Sequence, residues 1–261
     1  MIRSRSLLLV ALMGIIPALQ GEGVAAEPAQ ENHAVKPDVR LEGWWFARQG
    51  EKIDELKKGD IDLLMVGDSI THNFESEKHG LSVWKEYFVP KKAINLGFGG
   101  DRTQHVLWRL DHLPKLKEAP KAAVVLIGTN NICWGSDTPK QAAEGVQAIA
   151  QKLQELYPEM KILVLGVLPR RRNLDHAHRK QIIELNSYMP ALLKDMKNVK
   201  FLDIGPAFLD DKGFLSPEMM PDTTHPSTKG HEVWAKAIEP ELQKMLAGGE
   251  EKSGETEPQP N

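Results

Sequence analysis

Cysteine is nearly absent from this chain of 261 residues, because Cys133 is the only one. A single thiol excludes an internal disulfide, so the fold must depend on its apolar core. A chain of this length buries enough apolar surface to sustain one large domain without crosslinks. We interpret Cys133 as a buried structural thiol beside Trp134 and not as a nucleophile.

A field of one charge sign is also missing, since the formal net charge is only −3 at pH 7. Most of that charge lies in the acidic tail at 247–261, where four glutamates outnumber Lys252. The near-neutral body excludes the basic surface that nucleic-acid binding requires. The tail has no apolar face, and we predict that it is disordered.

Long hydrophobic runs are lacking as well. The apolar stretch Leu7–Leu19 is broken by Pro17 and is too short for a comfortable membrane span. It follows Arg3 and Arg5 and precedes the small residues Val24-Ala25-Ala26, which is the pattern of a secretory signal. We therefore predict cleavage near the end of that motif, no stable membrane span afterwards, and an exported protein, either periplasmic or secreted.

The chain then divides into a signal peptide at 1–26, a polar linker at 27–40, one domain at 41–246 and the tail. Inside the domain, short and nearly continuous apolar runs end at Gly, Pro, Asn or Asp, which is typical of parallel strands buried on both faces. These runs are Ile61–Val66, Ala93–Leu96, Ala122–Ile127, Ile162–Val167 and Val199–Leu202.

Helical patterns alternate with these runs, at Leu41–Leu56, Thr138–Leu156, Asp175–Met196 and Ser227–Leu246. Alternation of strands and helices predicts an α/β fold with a parallel sheet between two helical layers. In such folds ligands bind beyond the carboxyl ends of the strands. We therefore looked there for polar side chains that could carry chemistry.

The block Gly67-Asp68-Ser69-Ile70 follows the first apolar run. Ser69 is a candidate nucleophile, which needs a base to take its proton. We interpret Gly67 as removing bulk that would cover the hydroxyl. Asp-Ser after a strand also suits a helix N-cap, and the G-x-S-x-G elbow is not present.

Two further blocks supply hydrogen-bond donors. The spacing of Gly97-Phe98-Gly99-Gly100 fits neither dinucleotide-binding nor P-loop patterns, which disfavours a nucleotide role. A bare backbone N–H at Gly100 and the amide of Asn130 are instead candidate donors to an oxyanion. A glycine-rich turn and an Asn-Asn turn are the alternative interpretations.

Asp222 and His225 stand three residues apart near the start of the last helix. This spacing lets a carboxylate orient an imidazole, which could then act as a base. A metal site would need at least one more ligand, and His176 and His178 lack the spacing of known zinc motifs. We interpret those two histidines as solvated residues beside the basic run at 170–172.

Taken together and in this order, the four blocks resemble those of SGNH (GDSL-type) hydrolases, in the branch that includes the catalytic subunits of brain-type platelet-activating-factor acetylhydrolase and bacterial relatives. The resemblance extends from about Trp44 to Leu246. The runs Asp101–Leu110 and Leu165–Arg170 also resemble that branch. It implies a flavodoxin-like three-layer α/β/α sandwich with a five-stranded parallel sheet.

The resemblance also implies roles for individual residues. Ser69 is the expected nucleophile, with Asp222 and His225 as acid and base. The expected oxyanion hole comprises the Ser69 N–H, the Gly100 N–H and the Asn130 amide. No metal and no organic cofactor are expected, and the relatives' habit of dimerising suggests a homodimer.

This chain departs from the branch at Thr224 and Pro226, which flank the histidine, and at Arg102 beside the glycine donor. Arg102, Trp134 and the run at 170–172 are candidates for lining the substrate pocket, with surface packing as the alternative. We expect an exported esterase that removes short acyl groups, acetyl above all, from a carbohydrate or another small ester. An O-acyltransferase and a glycan-binding module without catalysis are the rival hypotheses.

Overall fold

The computed structural model describes residues 31–135 and 137–247, and its centre is a five-stranded sheet. The predicted signal peptide, residues 27–30 of the linker and nearly all of the tail lie outside the described residues. The strands are β1 (Leu63–Gly67), β2 (Ala93–Gly97), β3 (Ala122–Leu126), β4 (Lys161–Leu165) and β5 (Val199–Leu202). They run parallel in the order β2-β1-β3-β4-β5. The predicted strands, sheet and fold class are therefore confirmed.

Helices join successive strands and cover the sheet. Among the described residues they are α1 (Gly43–Lys58), α2 (Ser69–His72), α3 (Leu81–Val83), α4 (Thr103–Asp111), α5 (Thr129–Cys133), α6 (Pro139–Leu156), α7 (Ala177–Leu193) and α8 (Thr228–Leu246). A π-helical turn at Trp84–Phe88 extends α3. No helix in the described part of the chain is long and apolar enough to cross a membrane.

Two apolar clusters lie on opposite faces of the sheet. One packs α4, α6 and α7 against one face, and the other packs α8 and the segment around Phe74 against the other face. Every residue of β1 and β3 is buried, whereas the edge strand β5 is partly exposed. This burial is the reason why the central strands have continuous apolar sequences.

Local sequence signals set the starts of the long helices. Thr138 and Gln141 form a capping box at the start of α6, where Pro139 is the first helical residue. The Ser227 hydroxyl accepts a hydrogen bond from the Gly230 N–H at 3.1 Å and caps α8. Helix α7 begins two residues later than predicted, because His176 caps it.

The segment from Asn32 to Arg40 was predicted to be part of a linker, but it packs against the domain. It belongs to the same compact unit as the rest of the domain, and Ala34 is fully buried. The Ala34 carbonyl accepts a hydrogen bond from the Thr103 hydroxyl at 2.8 Å. Arg40 donates to the carbonyl oxygen of Gly99 at 2.7 Å. A polar composition with two prolines indicated a linker, but long-range contacts order this part of it.

A buried carboxylate, Asp101, joins this segment to the helices and to the turn after β2. Its two oxygens accept hydrogen bonds from Trp45 Nε1 at 2.8 Å, Arg40 Nη1 at 3.1 Å and Arg109 Nε at 2.7 Å. Burial lowers the pKa of the Arg109 guanidinium, and Asp101 opposes that shift. Removing the negative charge would leave the buried Arg109 without its carboxylate partner and would take from Arg40 the buried one of its two.

We therefore expect Asp101→Asn to lower the free energy of unfolding by about 3–5 kcal/mol, because breaking a buried ion pair strands its partner charges. Chemical denaturation measures this change. Asp62→Asn is the matched control, since Asp62 pairs with the largely exposed Lys121 and such pairs contribute under about 1 kcal/mol. Similar losses for both variants would contradict the central role of the Asp101 carboxylate.

Candidate active site

The candidate residues lie at one edge of the sheet, beyond the carboxyl ends of the strands. Ser69 begins α2, just after β1. Gly100 lies in the turn after β2, and Asn130 lies in α5, just after β3. His225 comes from the loop before α8. Parallel strands bring their carboxyl ends together, so residues that are far apart in sequence converge here.

Three side chains form a continuous hydrogen-bonded series. Ser69 Oγ lies 2.9 Å from His225 Nε2. His225 Nδ1 lies 2.6 Å from Asp222 Oδ2. With Nδ1–H donating to the carboxylate, Nε2 is an acceptor that faces the serine hydroxyl. This arrangement can transfer the serine proton to the imidazole and stabilise the imidazolium that results.

A tight turn holds Asp222 in place. Its Oδ1 accepts hydrogen bonds from the backbone N–H groups of Thr224 at 2.9 Å and His225 at 2.7 Å. Burial tends to raise the pKa of Asp222, but these hydrogen bonds and the one from the imidazole outweigh it, so the pKa is lowered. The carboxylate is therefore ionised at neutral pH, as an orienting acceptor must be. Thr223, with φ of +66°, allows the turn to close.

Hydrogen-bond donors surround the serine. Asn130 is buried, and one of its amide hydrogens binds the Asp101 carbonyl at 2.9 Å, which leaves the second available. This bond places Asn130 beside the residue that follows Gly100. Within the described residues, neither the Ser69 N–H nor the Gly100 N–H donates to a protein acceptor. All three groups can therefore bind a developing oxyanion.

The structure assigns Gly100 a specific backbone requirement. Its φ is +79°, and a Cβ atom would lie 3.2 Å from Arg40 Nη1. Side chains other than glycine rarely adopt this conformation. Gly67 was interpreted as removing bulk that would cover the serine hydroxyl. The structure gives a different reason for glycine, because a Cβ atom there would meet Thr71 Oγ1 at 2.2 Å and the Leu126 carbonyl at 2.5 Å. It lets α2 approach the sheet and does not uncover the serine hydroxyl.

Asp68, which precedes the serine, is an N-cap, as one interpretation of the motif held. Its Oδ1 accepts from the Ile70 N–H at 2.9 Å. Burial raises the pKa of Asp68 to about 7, although this hydrogen bond opposes the shift. The cap fixes the first turn of α2 and thereby the direction of the Ser69 side chain.

The two predicted pocket-lining residues lie in different surroundings. Arg102 is half-buried at the start of α4, and its backbone N–H donates to His105 Nδ1 at 3.0 Å. Trp134 follows α5, and 69% of the side chain is exposed. Cys133 is half-buried instead of fully buried, and burial raises the pKa of its thiol. Such a thiol is a weak nucleophile at neutral pH.

Two residues that the sequence did not single out support the Gly99–Gly100 turn. Arg40 binds the Gly99 carbonyl, as described above, and His72 Nδ1 accepts from the Gly99 N–H at 3.3 Å. Arg40 lay in the predicted linker, and His72 has no motif of its own. In the described part of the chain, no three His, Cys, Asp or Glu side chains cluster as metal ligands.

Comparison with known proteins identifies the family of this chain. Residues 65–233 match the model of the GDSL-like lipase/acylhydrolase family. Platelet-activating factor acetylhydrolase IB subunit alpha1 of Rattus norvegicus is 34% identical over 233 residues, which cover 88% of this chain and 94% of the relative. The chain belongs to the GDSL-like lipase/acylhydrolase family. It is an ester hydrolase.

Solved structures share the fold at lower identity. A GDSL-like lipase from Bacteroides thetaiotaomicron has a TM-score of 0.63 and 18% identity, over 76% of this chain and 97% of that one. The acetylxylan esterase Axe2 from Geobacillus stearothermophilus has a TM-score of 0.55 and 16% identity, over 74% and 97% of the two chains. These likenesses concern the sheet and its helical layers.

Three histidines near the site make stability depend on pH. Burial is the main cause that lowers the pKa values of His72, His105 and His231 to about 4 from 6.5. As pH falls from 6.5 to 4, the unfolded chain binds three protons that the folded chain does not. Asp68 acts in the opposite sense, because its folded pKa of about 7 lies above the ordinary 3.8.

We therefore expect the free energy of unfolding to fall as pH decreases through this window. The net uptake is about two protons, which gives a slope of about 3 kcal/mol per pH unit at its steepest. Denaturation at pH 7, 6, 5 and 4.5 measures the slope. Asp68→Asn keeps the cap and removes the opposing proton, so its slope should be steeper. A free energy that does not change over this range would refute the expectation.

Proposed function

We propose that this protein is an exported serine esterase that removes short acyl groups, acetyl in particular, from a carbohydrate or another small ester. The observation that carries the proposal is the series Ser69–His225–Asp222, with 2.9 Å from Ser69 Oγ to His225 Nε2 and 2.6 Å from His225 Nδ1 to Asp222 Oδ2. This geometry supports the proposed roles of Ser69 as nucleophile, His225 as base and Asp222 as acid in acyl transfer.

In the first step, neutral His225 takes the proton of Ser69, and Oγ forms a bond to the carbonyl carbon of the ester. The negative charge on the carbonyl oxygen is bound by the N–H groups of Ser69 and Gly100 and by the Asn130 amide. As the intermediate collapses, the bond to the alcohol oxygen breaks. The imidazolium then gives its proton to the departing alcohol, and an acyl-enzyme remains on Ser69.

In the second step, a water molecule approaches the acyl-enzyme beside His225. His225 takes a proton from this water, and the hydroxide oxygen attacks the acyl carbon. Collapse releases the carboxylic acid and returns the proton to Ser69. The side chains of His225 and Asp222 are 29% and 57% exposed. This access to water favours hydrolysis over transfer of the acyl group to a second alcohol.

Acetyl specificity is supported by the relatives. The rat protein, with 34% identity, is named as an acetylhydrolase. The proposal of a carbohydrate or small-ester substrate rests on the predicted export signal. Export argues against a role in cytosolic phospholipid signalling.

Removal of the nucleophile tests the proposal directly. We expect Ser69→Ala to lower kcat for 4-nitrophenyl acetate by a factor on the order of 10⁴ or more. Asn130→Ala should lower it by about 10²–10³, because one oxyanion donor is lost. Ser187→Ala is the matched control, since Ser187 is exposed on α7. Undiminished turnover by Ser69→Ala would refute the assignment, and faster turnover of octanoate than acetate would refute the short-chain preference.

Export is proposed from the sequence pattern at residues 1–26, with its basic start and apolar stretch. We expect protein expressed from the full gene in its native host to be recovered outside the cytoplasm. N-terminal sequencing of that fraction should begin near residue 27. Full-length protein that remains in the cytoplasmic fraction would contradict the proposal and would leave the esterase assignment intact.

A further inference from the structure

A run of three arginines, Arg170 to Arg172, follows β4 and lies between the two loops that carry Asn130 and His225. Arg170 Nη1 is 3.4 Å from the hydroxyl of Thr129, the residue before Asn130. The Arg171 N–H donates at 3.1 Å to the carbonyl of Thr223, the residue after Asp222. The run therefore contacts both loops that flank the reactive serine.

Two of the arginines in this region hold the backbone. Arg172 donates to the carbonyl oxygens of Leu215 at 3.4 Å and Pro221 at 3.1 Å. Arg179 is buried, and it donates to the carbonyl oxygens of Arg171 and Gly213, both at 3.1 Å. The guanidinium groups of Arg172 and Arg179 thus stabilise the loop that presents Arg170 and Arg171.

The guanidinium groups of Arg170 and Arg171 are not used in this way. Among the described residues, neither lies within 4.0 Å of a carboxylate, and the Nε atoms of both are shielded from solvent and have no hydrogen-bond partner. By contrast, Arg40, Arg48 and Arg109 each pair with a carboxylate. A buried donor without a partner destabilises the folded chain unless a ligand supplies an acceptor.

The charge of these arginines reaches the reactive centre. Arg170 acts to lower the pKa of Asp68, against the larger effect of burial. Both arginines also oppose the burial that raises the pKa of the Cys133 thiol. Cys133 ends α5, the helix that carries Asn130. The geometry agrees for each residue: Arg170 Nη1 contacts Thr129, the neighbour of the amide donor Asn130, and the Arg171 N–H contacts Thr223, in the loop that carries His225.

The backbone of this loop is strained where it meets the His225 loop. Arg171 has φ of +65° and Thr223 has φ of +66°, and a hydrogen bond joins the two residues. Left-handed conformations at residues other than glycine are unfavourable and persist where the surroundings enforce them. The surroundings here include Arg179 on the Arg171 carbonyl. The backbone from which the Arg170 and Arg171 side chains extend is therefore held by the fold.

We propose that Arg170 and Arg171 form a subsite that binds an anionic group, a carboxylate or a phosphate, on the alcohol part of the ester. Guanidinium groups bind such oxyanions through paired hydrogen bonds. This inference rests on the proposed function, in which the short acyl group is uncharged and the charge must belong to the alcohol. It defines the substrate class as acylated acidic sugars or sugar phosphates.

Size-matched substrates test the subsite in the wild-type enzyme. Acetylated methyl glucuronoside and acetylated methyl glucoside differ by one carboxylate, and acetylated methyl glucoside 6-phosphate supplies the phosphate. We expect kcat/KM for at least one anionic substrate to exceed that for the neutral one by about tenfold or more at low ionic strength. The preference should decrease as sodium chloride is added, because salt screens a partly exposed charge pair.

Variants then assign the preference to these residues. Arg170→Gln and Arg171→Gln should each reduce the ratio of anionic to neutral kcat/KM by about fivefold or more, chiefly through KM, and Arg171→Lys should restore part of it. Lys58→Gln is the control, because exposed Lys58 precedes β1 and lies at the opposite edge of the sheet. It removes the same charge and should leave the ratio unchanged.

Two results would overturn the subsite: equal kcat/KM for all three substrates in the wild type, or an unchanged preference when both arginines are replaced by glutamine. If these variants do not fold, competitive inhibition of the wild type by methyl glucuronoside, but not by methyl glucoside, supports the subsite, and equal inhibition refutes it.

If the wild type cleaves no ester, the proposed function fails. Calorimetric titration with methyl glucuronoside then tests the subsite alone, and absent binding refutes it.

Discussion

The buried carboxylate of Asp101 is the interaction on which the candidate site depends most. Three donors from separate parts of the chain converge on it, from Arg40, Trp45 and Arg109. Its backbone carbonyl binds Asn130, and its own N–H closes the turn that contains Gly100. A charge without counterions would be unstable in this interior, so the three donors and the carboxylate must form together. The same residue thereby couples the stability of the fold to the position of two oxyanion donors.

Residues with a local signal could be predicted from the sequence. Ser69, Asn130 and His225 follow recognisable boundaries between apolar runs and turns, and parallel topology brings those boundaries together. The roles of Arg40 and His72 could not be predicted, because each acts through one contact with a backbone atom far away in sequence. Arg40 meets Gly99 across 59 residues and has no neighbouring motif. A polar stretch with prolines has the same composition whether or not such a contact orders it.

The arginines after β4 show a second limit of sequence analysis. All four residues are arginines, so the sequence does not distinguish them. Arg172 and Arg179 bind carbonyl oxygens, whereas Arg170 contacts the Thr129 hydroxyl and the buried Nε of Arg171 has no partner among the described residues. Arg171 also has a left-handed backbone conformation. No pattern of charge along the chain indicates this, since the conformation depends on a hydrogen bond to Thr223. Electrostatic function here is therefore a property of loop geometry.

The family match begins at residue 65, whereas Arg40, Trp45 and Arg48 precede it. These three side chains reach the turns that follow β2 and α2. A module that began at residue 65 would retain every residue of the reacting centre and lose the three side chains that support these turns. Chimaeras of relatives joined at that residue would accordingly contain all the reacting residues, but the turns that position them would lack their matched supporting side chains. The part of the chain that supports the reacting centre is therefore longer than the range that matches the family model.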